Sequence, residues 1–482
     1  MRILTHLPWR IAMTPRYKPR ETRRRRSKKK PSAAELPAQL EQVNLNAAGV
    51  DVGATEHWVA VPAGRGEQPV QKFGAFTEDL YQLAAHLEQC GIETVAMEST
   101  GVYWIPLFEI LEQHGFEVLL VDPHRLKSVP GRKSDVVDCQ WIQQLHTFGL
   151  LSAAFRPEDE VCVLRSYLRQ RAMLVSYASY HIQHMQKALT QMNLKLQHVV
   201  SDITGATGMR IIRAILADQW DPQELAKLRD PRCHKSEETI AKALEGNWRD
   251  EHLFELRQAV ELFDVYHQKL AQCDERIEVH LKSFEDRSDG KTLAPKKSRS
   301  KPGRTGLRFD ARESLWRMCG VDLTAIDGLD THTVLKVLSE IGTEMSRWPS
   351  VKHFASWLGV CPGSKISGGK KLSSRSKPCA NRAAAALRFA ASGLHHSKSY
   401  LGAFLRRKKA QLGAPKAITA TAHKLARLIY SMLRYGTAYV DRGQDYYERT
   451  YRQRALANLR RNAKRLGFEL TPSADAAAAA AS

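Results

Sequence analysis

Four carboxylates stand where acids are otherwise awkward. Asp51 interrupts the apolar segment Ala48-Gly49-Val50-Asp51-Val52-Gly53. Strand side chains alternate, so Val50 and Val52 point to one face and Asp51 to the other. A carboxylate buried in such a strand costs several kcal/mol without a partner, and a bound cation offsets that cost. A turn aspartate beside Gly53 explains the same text. Glu98 closes the apolar run Thr94-Val95-Ala96-Met97 and is followed by Ser99, Thr100 and Gly101. Ligands of α/β sheets collect at such carboxyl ends of strands, while a cap for the next helix is the plainer role for this segment. Asp135 and Asp138 lie in Arg132-Lys133-Ser134-Asp135-Val136-Val137-Asp138 and share one face of a helix. Like charges repel at that spacing unless a divalent cation lies near them, although the start of a helix also favours acids. Each acid alone is weak evidence. Four from two strands and one helix make a hard-oxygen ligand set suited to Mg²⁺ or Mn²⁺, ions that assist phosphodiester cleavage. Asp122 competes, but Pro123 follows directly and suggests a turn.

A second segment carries a hydroxyl among cations. Cys361-Pro362-Gly363-Ser364-Lys365-Ile366-Ser367-Gly368-Gly369-Lys370-Lys371 is Gly-rich and basic. Gly368 and Gly369 let a phosphate approach the backbone after Ser367. Lys365, Lys370, Lys371 and Arg375 are cations that can neutralise it. No His–Asp pair is placed by sequence to activate Ser367, so spacing alone reads as a phosphate-binding turn. Upstream, Leu323-Thr324-Ala325-Ile326-Asp327-Gly328-Leu329-Asp330 precedes an apolar helix over 334–341. It looks like a helix-hairpin-helix, with Asp330 where a second glycine is usual.

The elements that must position these groups follow from periodicity. Strands are predicted over 43–52, 57–61 and 70–76, then a helix through Leu80, Leu83, Ala84 and Leu87 ending near Gly91. A strand over 92–97, a helix over 102–114 and a strand over 116–121 come next. Three leading strands followed by alternating helix and strand predict an RNase-H-like α/β domain. Apolar steps of three, four and seven predict one long helix over 158–200 and another over 251–285, packed as an antiparallel hairpin or against another subunit. The expected division is a basic disordered arm 1–42, the α/β domain 43–157, a long-helix coiled-coil insertion 158–287, a basic linker 288–309, a mostly α, serine-bearing domain 310–445 and a C-terminal tail 446–482.

Composition narrows the partners. In 482 residues, 73 Lys and Arg against 51 Asp and Glu give a formal charge of +22, which favours a polyanion. The eight cysteines form no CxxC pair and no zinc-finger spacing, and read as reduced, mostly buried thiols. No apolar run is long enough to span a membrane. A cytoplasmic, nucleoid-associated protein is expected.

The combined text resembles the DEDD transposases of bacterial insertion-sequence family 110. It is carried by Gly49-Val50-Asp51-Val52-Gly53, Met97-Glu98-Ser99-Thr100-Gly101-Val102-Tyr103-Trp104, Val121-Asp122-Pro123-His124-Arg125 and Lys133-Ser134-Asp135-Val136-Val137-Asp138. It continues in Trp357-Leu358-Gly359-Val360-Cys361-Pro362-Gly363 and Ser367-Gly368-Gly369-Lys370. The resemblance implies a fold like Holliday-junction resolvases for the first domain, with Asp51, Glu98, Asp135 and Asp138 as its four acids. It implies Ser367 as the nucleophile, linked transiently to a DNA phosphate. It also implies a guide RNA from the element and a homo-oligomer, dimer or tetramer, in which acids of one subunit work with the serine of another. Relatives follow the serine loop with a Lys-Arg-Gly-Asn-like run, where this chain has Arg375-Ser376-Lys377-Pro378-Cys379-Ala380-Asn381-Arg382. Two other readings use the same residues. One is a metal-dependent Holliday-junction-type nuclease in which Ser367 only binds phosphate. The other is a non-catalytic nucleic-acid-binding descendant of such enzymes.

Overall fold

A computed structural model describes residues 41–99, 101–123, 135–295, 305–376 and 379–470. The expected basic arm, the middle of the basic linker and the end of the tail lie outside the described residues. The chain divides between Arg156 and Pro157 into two compact units.

The first unit is a mixed sheet with helices on both faces. Its elements are β1 (Ala47–Val52), β2 (Glu56–Ala60), β3 (Val70–Gly74), α1 (Thr77–Gln89), β4 (Thr94–Glu98), α2 (Trp104–Gln113), β5 (Glu117–Val121) and α3 (Asp135–Thr147). The strand order is β3-β2-β1-β4-β5. β1 and β2 run antiparallel across a tight turn closed by Gly53 N–H donating to Glu56 O at 3.1 Å, and β3 pairs antiparallel with β2 beyond a loop closed by Val61 N–H donating to Pro69 O at 3.0 Å. β4 and β5 lie parallel to β1 and need the crossover helices. On one face Val50, Val52, Val95, Met97 and Leu120 meet the apolar stripes of α1 and α2. On the other, Ala96 and Val121 pack against Ile142 of α3. This mixed architecture is consistent with an RNase-H-like domain. The first strand is shorter than its apolar run: Val43 and Leu45 are 66% and 63% exposed. Val43 and Asn44 donate their N–H groups to Thr147 O instead of joining the ladder.

The second unit begins with α4 (Asp159–Gln191), then α5 (Leu196–Val199), α6 (Ala206–Leu216), α7 (Pro222–Lys227), α8 (Glu237–Leu244) and α9 (Asp250–Ser283). α4 and α9 pair within the chain. Their contacts run in opposite senses, from Tyr167 with His280, through Arg171 with Asp274, to Tyr177 with Tyr266 and Lys187 with Glu255. The helix predicted over 158–200 stops at Gln191, because Asn193 takes a left-handed φ of 58° and turns the chain. Leu194 and Leu196 then enter a separate core. Where periodicity predicts no element between the long helices, α6, α7 and α8 bury Ile211, Ile212, Ile215, Leu225, Ile240 and Leu244 against Met185, Leu189, Leu256 and Phe263. Asp221 and Ser236 accept backbone N–H bonds at the starts of α7 and α8.

The remainder is α10 (Arg312–Cys319), a 3₁₀ turn at Leu323–Ala325, α11 (Thr331–Ile341), α12 (Val351–Trp357), the hairpin β6 (Lys365–Ser367) and β7 (Lys370–Ser373), α13 (Arg382–Gly393), a 3₁₀ turn at Leu394–His396, α14 (Tyr400–Leu412), α15 (Ala414–Tyr435) and α16 (Gly443–Arg465). Phe354 is fully buried beside Tyr430, whose hydroxyl donates to Trp348 O at 3.0 Å. The expected tail 446–482 is instead helical through Arg465. Tyr447 of α16 is buried edge-on against Tyr400 of α14. None of the eight cysteines forms a disulfide among the described residues, and only Cys90 and Cys139 are buried, so most are less enclosed than their composition suggests.

Candidate functional site

The acids are gathered by register and by the direction of one helix. Gln143 Nε2 donates to Ala47 O at 3.3 Å and Asn44 Nδ2 donates to His146 O at 2.8 Å, so the end of α3 lies at the start of β1. Gly49 is the point of closest approach. A Cβ there would lie 2.2 Å from Gln143 N and 2.5 Å from Cys139 O, both backbone atoms. The next side chain on the same face of β1 is Asp51. Two strand residues advance about 6.7 Å, and one helical turn back along α3 covers about 5.4 Å. The first turn of α3, with Asp135 and Asp138, therefore arrives at the carboxyl end of β1. Glu98 joins through pairing. Val50 is opposite Met97, so Glu98 is level with Asp51 on the adjacent strand. Gly49 is opposite Ala96, and Ala96 packs on α3, so Asp51 and Glu98 face that helix together.

The local electrostatics agree. The Cys139 thiol, donating to Val136 O at 3.2 Å, is pushed up to about 12 by burial and further by the negative charge of Asp51 and Asp138. One thiol on α3 thus senses an acid from the strand and an acid from the helix. Asp51, Glu98 and Asp138 are half-buried and Asp135 is exposed. Among the described residues no three His, Cys, Asp or Glu side chains form a ready-made metal cage. The donor set itself, carboxylate oxygens from three elements, suits a hard divalent ion such as Mg²⁺ or Mn²⁺ and not zinc. Ser99 does not cap α2: its hydroxyl donates to Val121 O at 2.9 Å, tying β4 to β5 just beyond Glu98. The residue before α2 is Tyr103, without a side-chain cap.

Ser367 is presented on a two-stranded hairpin of the second unit. It pairs with Lys370 across Gly368 and Gly369, whose φ values of 55° and 74° give the left-handed turn that glycine accepts. Nothing lies within 4 Å of where their Cβ atoms would stand. Ile366 and Leu372 are 66% and 68% exposed, and Ser367 and Lys370 are exposed too. Gly363 N–H donates to Arg375 O at 3.1 Å and closes the base of the hairpin. Among the described residues no side chain hydrogen-bonds the Ser367 hydroxyl. The backbone of Lys365 and Lys371 belongs to the same two strands.

In the hairpin-like segment upstream, Asp330 accepts the Thr333 N–H at 2.7 Å and caps α11. Gly328 keeps a φ of 86° with Leu394 Cγ 2.9 Å from its virtual Cβ, which makes that turn a packing feature. In the run after the serine hairpin, Asn381 accepts the Ala384 N–H at 3.0 Å and caps α13. Sequence reasoning assigned no role to Gly49, although its place two residues before Asp51 was the available signal.

Comparison with known proteins follows the same two segments. Residues 48–194 match a family model for DEDD transposases of the IS110 type, described as Transposase. Residues 320–404 match one described as Transposase IS116/IS110/IS902 family. No curated protein matches the chain significantly. The first match contains all four acids and the second contains Ser367, in the order expected of one polypeptide. The chain belongs to the IS110 family of transposases.

Proposed function

We propose that this transposase cuts and rejoins DNA with Asp51, Glu98, Asp135 and Asp138 as ligands for Mg²⁺ or Mn²⁺ and with Ser367 as nucleophile, guided by an RNA and assembled from more than one copy. Family membership carries the coarser part, DNA cleavage and rejoining. Support for the finer part is the convergence of β1, β4 and the first turn of α3 on one corner, made possible by Gly49.

A divalent ion bound there supplies positive charge to the scissile phosphate and the departing oxygen. The remaining work falls to the chain. Gly49 lets α3 lie on β1 and so holds Asp135 and Asp138 beside Asp51. Ser367 Oγ bonds to phosphorus while its proton passes to water or a carboxylate. The phosphorus–oxygen bond to the departing deoxyribose breaks, and that oxygen takes up a proton. Rejoining is the reverse, with the hydroxyl of another strand displacing Ser367. One ester forms for each ester broken, so no external energy source is required. Gly368 and Gly369 leave room for the phosphate, and Lys365, Lys370, Lys371 and Arg375 neutralise it.

The test is a denaturing gel of protein mixed with element-end DNA and Mg²⁺. Ser367→Ala removes the covalent protein–DNA adduct and strand exchange, and Asp51→Asn removes cleavage as well. Mixing the two variants restores exchange when acids and serine come from different copies. Ribonuclease treatment before DNA is added abolishes target choice if an RNA directs it. Undiminished strand exchange by Ser367→Ala contradicts the serine role.

A further inference from the structure

Mostly beyond the second matched segment, which ends at residue 404, α14, α15 and α16 line a half-open cavity of about 440 Å³, within the range of about 300–1,000 Å³ usual for small-ligand sites. Its lining brings together Lys424 and Arg427 of α15, Arg454 of α16, and the rings of Tyr439 and Tyr446. Like charges from two helices do not gather without compensation unless an anion joins them. Among the described residues, no carboxylate lies within ion-pair distance of Lys424, Arg427 or Arg454. The one acid in the lining, Asp441, already accepts the Tyr400 N–H at 3.0 Å. Lys424 is held over the rings of Tyr400 and Phe404 at 4.6 and 4.3 Å, so its ammonium cannot swing out to solvent without losing both contacts. Burial, followed by Arg427, Arg454 and Lys408, lowers it to about 8. The cations are thus kept close by ring and hydroxyl contacts, with no carboxylate at ion-pair distance among the described residues. At the rim, Arg442 donates to the Tyr446 hydroxyl at 2.7 Å and lies 5.0 Å from its ring, which fixes an aromatic plane beside the cations.

We propose that this cavity binds one unpaired nucleotide of a nucleic-acid strand, its phosphate among Lys424, Arg427 and Arg454 and its base against Tyr446 or Tyr439. A phosphate supplies the missing negative charge. An aromatic wall favours a base free of its duplex, since only an unpaired base offers a face to stack. Ribose and deoxyribose strands share this chemistry. The inference does not depend on the roles given to the acids or to Ser367.

The test uses the full-length chain and fluorescein-labelled oligouridylate and oligothymidylate strands of about 12 nucleotides, together with a duplex of the same length, by anisotropy at fixed salt. Measuring them in the Asp51→Asn background keeps a failure of the cleavage chemistry separate from a failure of this site. The double variant Arg427→Gln/Arg454→Gln is expected to lose roughly tenfold or more in single-strand affinity and less than twofold for the duplex. Its melting temperature stays level or rises, because repulsion is relieved. Arg460→Gln/Arg461→Gln, on the same helix but outside the cavity, serves as the charge-matched control. Equal losses in both double variants, equal losses for single strand and duplex, or no loss at all would overturn the proposal. Should the first variant fold poorly, ultraviolet crosslinking of an iodouracil-containing strand to the unmodified chain decides it. Adducts on Tyr446 or Tyr439 support the site, and adducts confined to other residues refute it. The RNA and DNA arms then show which strand supplies the nucleotide.

Discussion

Gly49 has no side chain because α3 occupies that space down to its backbone. Gly49→Ala has no flexible neighbour to displace, so α3 must shift. It should cost about 3 kcal/mol or more of stability, at the upper end of overpacking effects, read by urea denaturation. Any folded remainder should show reduced cleavage, because the helix that moves carries Asp135 and Asp138. His146, buried at the other end of α3 with Nε2 at 2.9 Å from Thr94 Oγ1, is lowered to about 4 by burial. Its folded value lies below the unfolded 6.5, so the unfolded chain binds the extra proton first. Stability is fully present above pH 6.5 and declines between 6.5 and 4, by about 3 kcal/mol over the window. Replacing His146 with Gln should flatten that part of the pH–stability curve. At this scale the acids stood out in the sequence as candidates only when taken together. Gly49 did not stand out, since its reason lies on a helix 90 residues further along the chain.

Among elements, the α4–α9 pair holds a buried Arg171–Asp274 ion pair at 2.5 Å, and Arg171 also donates to the carbonyls of Thr305 and Gly306 at 3.0 and 2.9 Å. The pair pins the end of the basic linker to the long helices. Asp274→Ala leaves a buried guanidinium without its charge partner and should cost about 3–5 kcal/mol, seen as a drop in denaturation midpoint. Apolar residues of similar volume at both positions should recover much of that loss. Strand alternation and the apolar stripes of α1 and α2 told most of the first unit. The stripes of α4 and α9 were also visible, but their spacing left open whether the two helices pair with each other or with another subunit. α6 to α8 were hidden because each is too short to show a sustained period, despite Ile211, Ile212 and Ile215. α16 was read as tail because only Tyr447 on it is buried, and a mostly solvated, arginine-rich helix carries little hydrophobic signal.

For the whole molecule, a formal charge of +22 means that nucleic-acid affinity should fall steeply as salt rises, the logarithm of the binding constant declining linearly with that of salt. Filter binding at several salt concentrations checks this, and a flat response contradicts phosphate-dominated binding. The pH response is more local. Around Lys424 stand Tyr400 and Lys408 from α14, His423 and Arg427 on its own helix, Arg454 from α16, and Tyr439 and Asp441 from the connecting loop. Its folded value of about 8 lies below the ordinary 10.5. Between them the folded chain sheds the proton first, so stability rises with pH through that window. Single-strand binding should run the other way and weaken above about pH 8, an effect that Lys424→Met removes. No helix among the described residues is long and apolar enough to cross a membrane.

Manganese binding followed by electron paramagnetic resonance bears most directly on the acidic corner. Full-length protein should take up Mn²⁺, with Asp51→Asn and Asp138→Asn each losing that uptake and Ser367→Ala binding as the unmodified chain does. Equal Mn²⁺ affinity and stoichiometry in all four proteins would contradict the account.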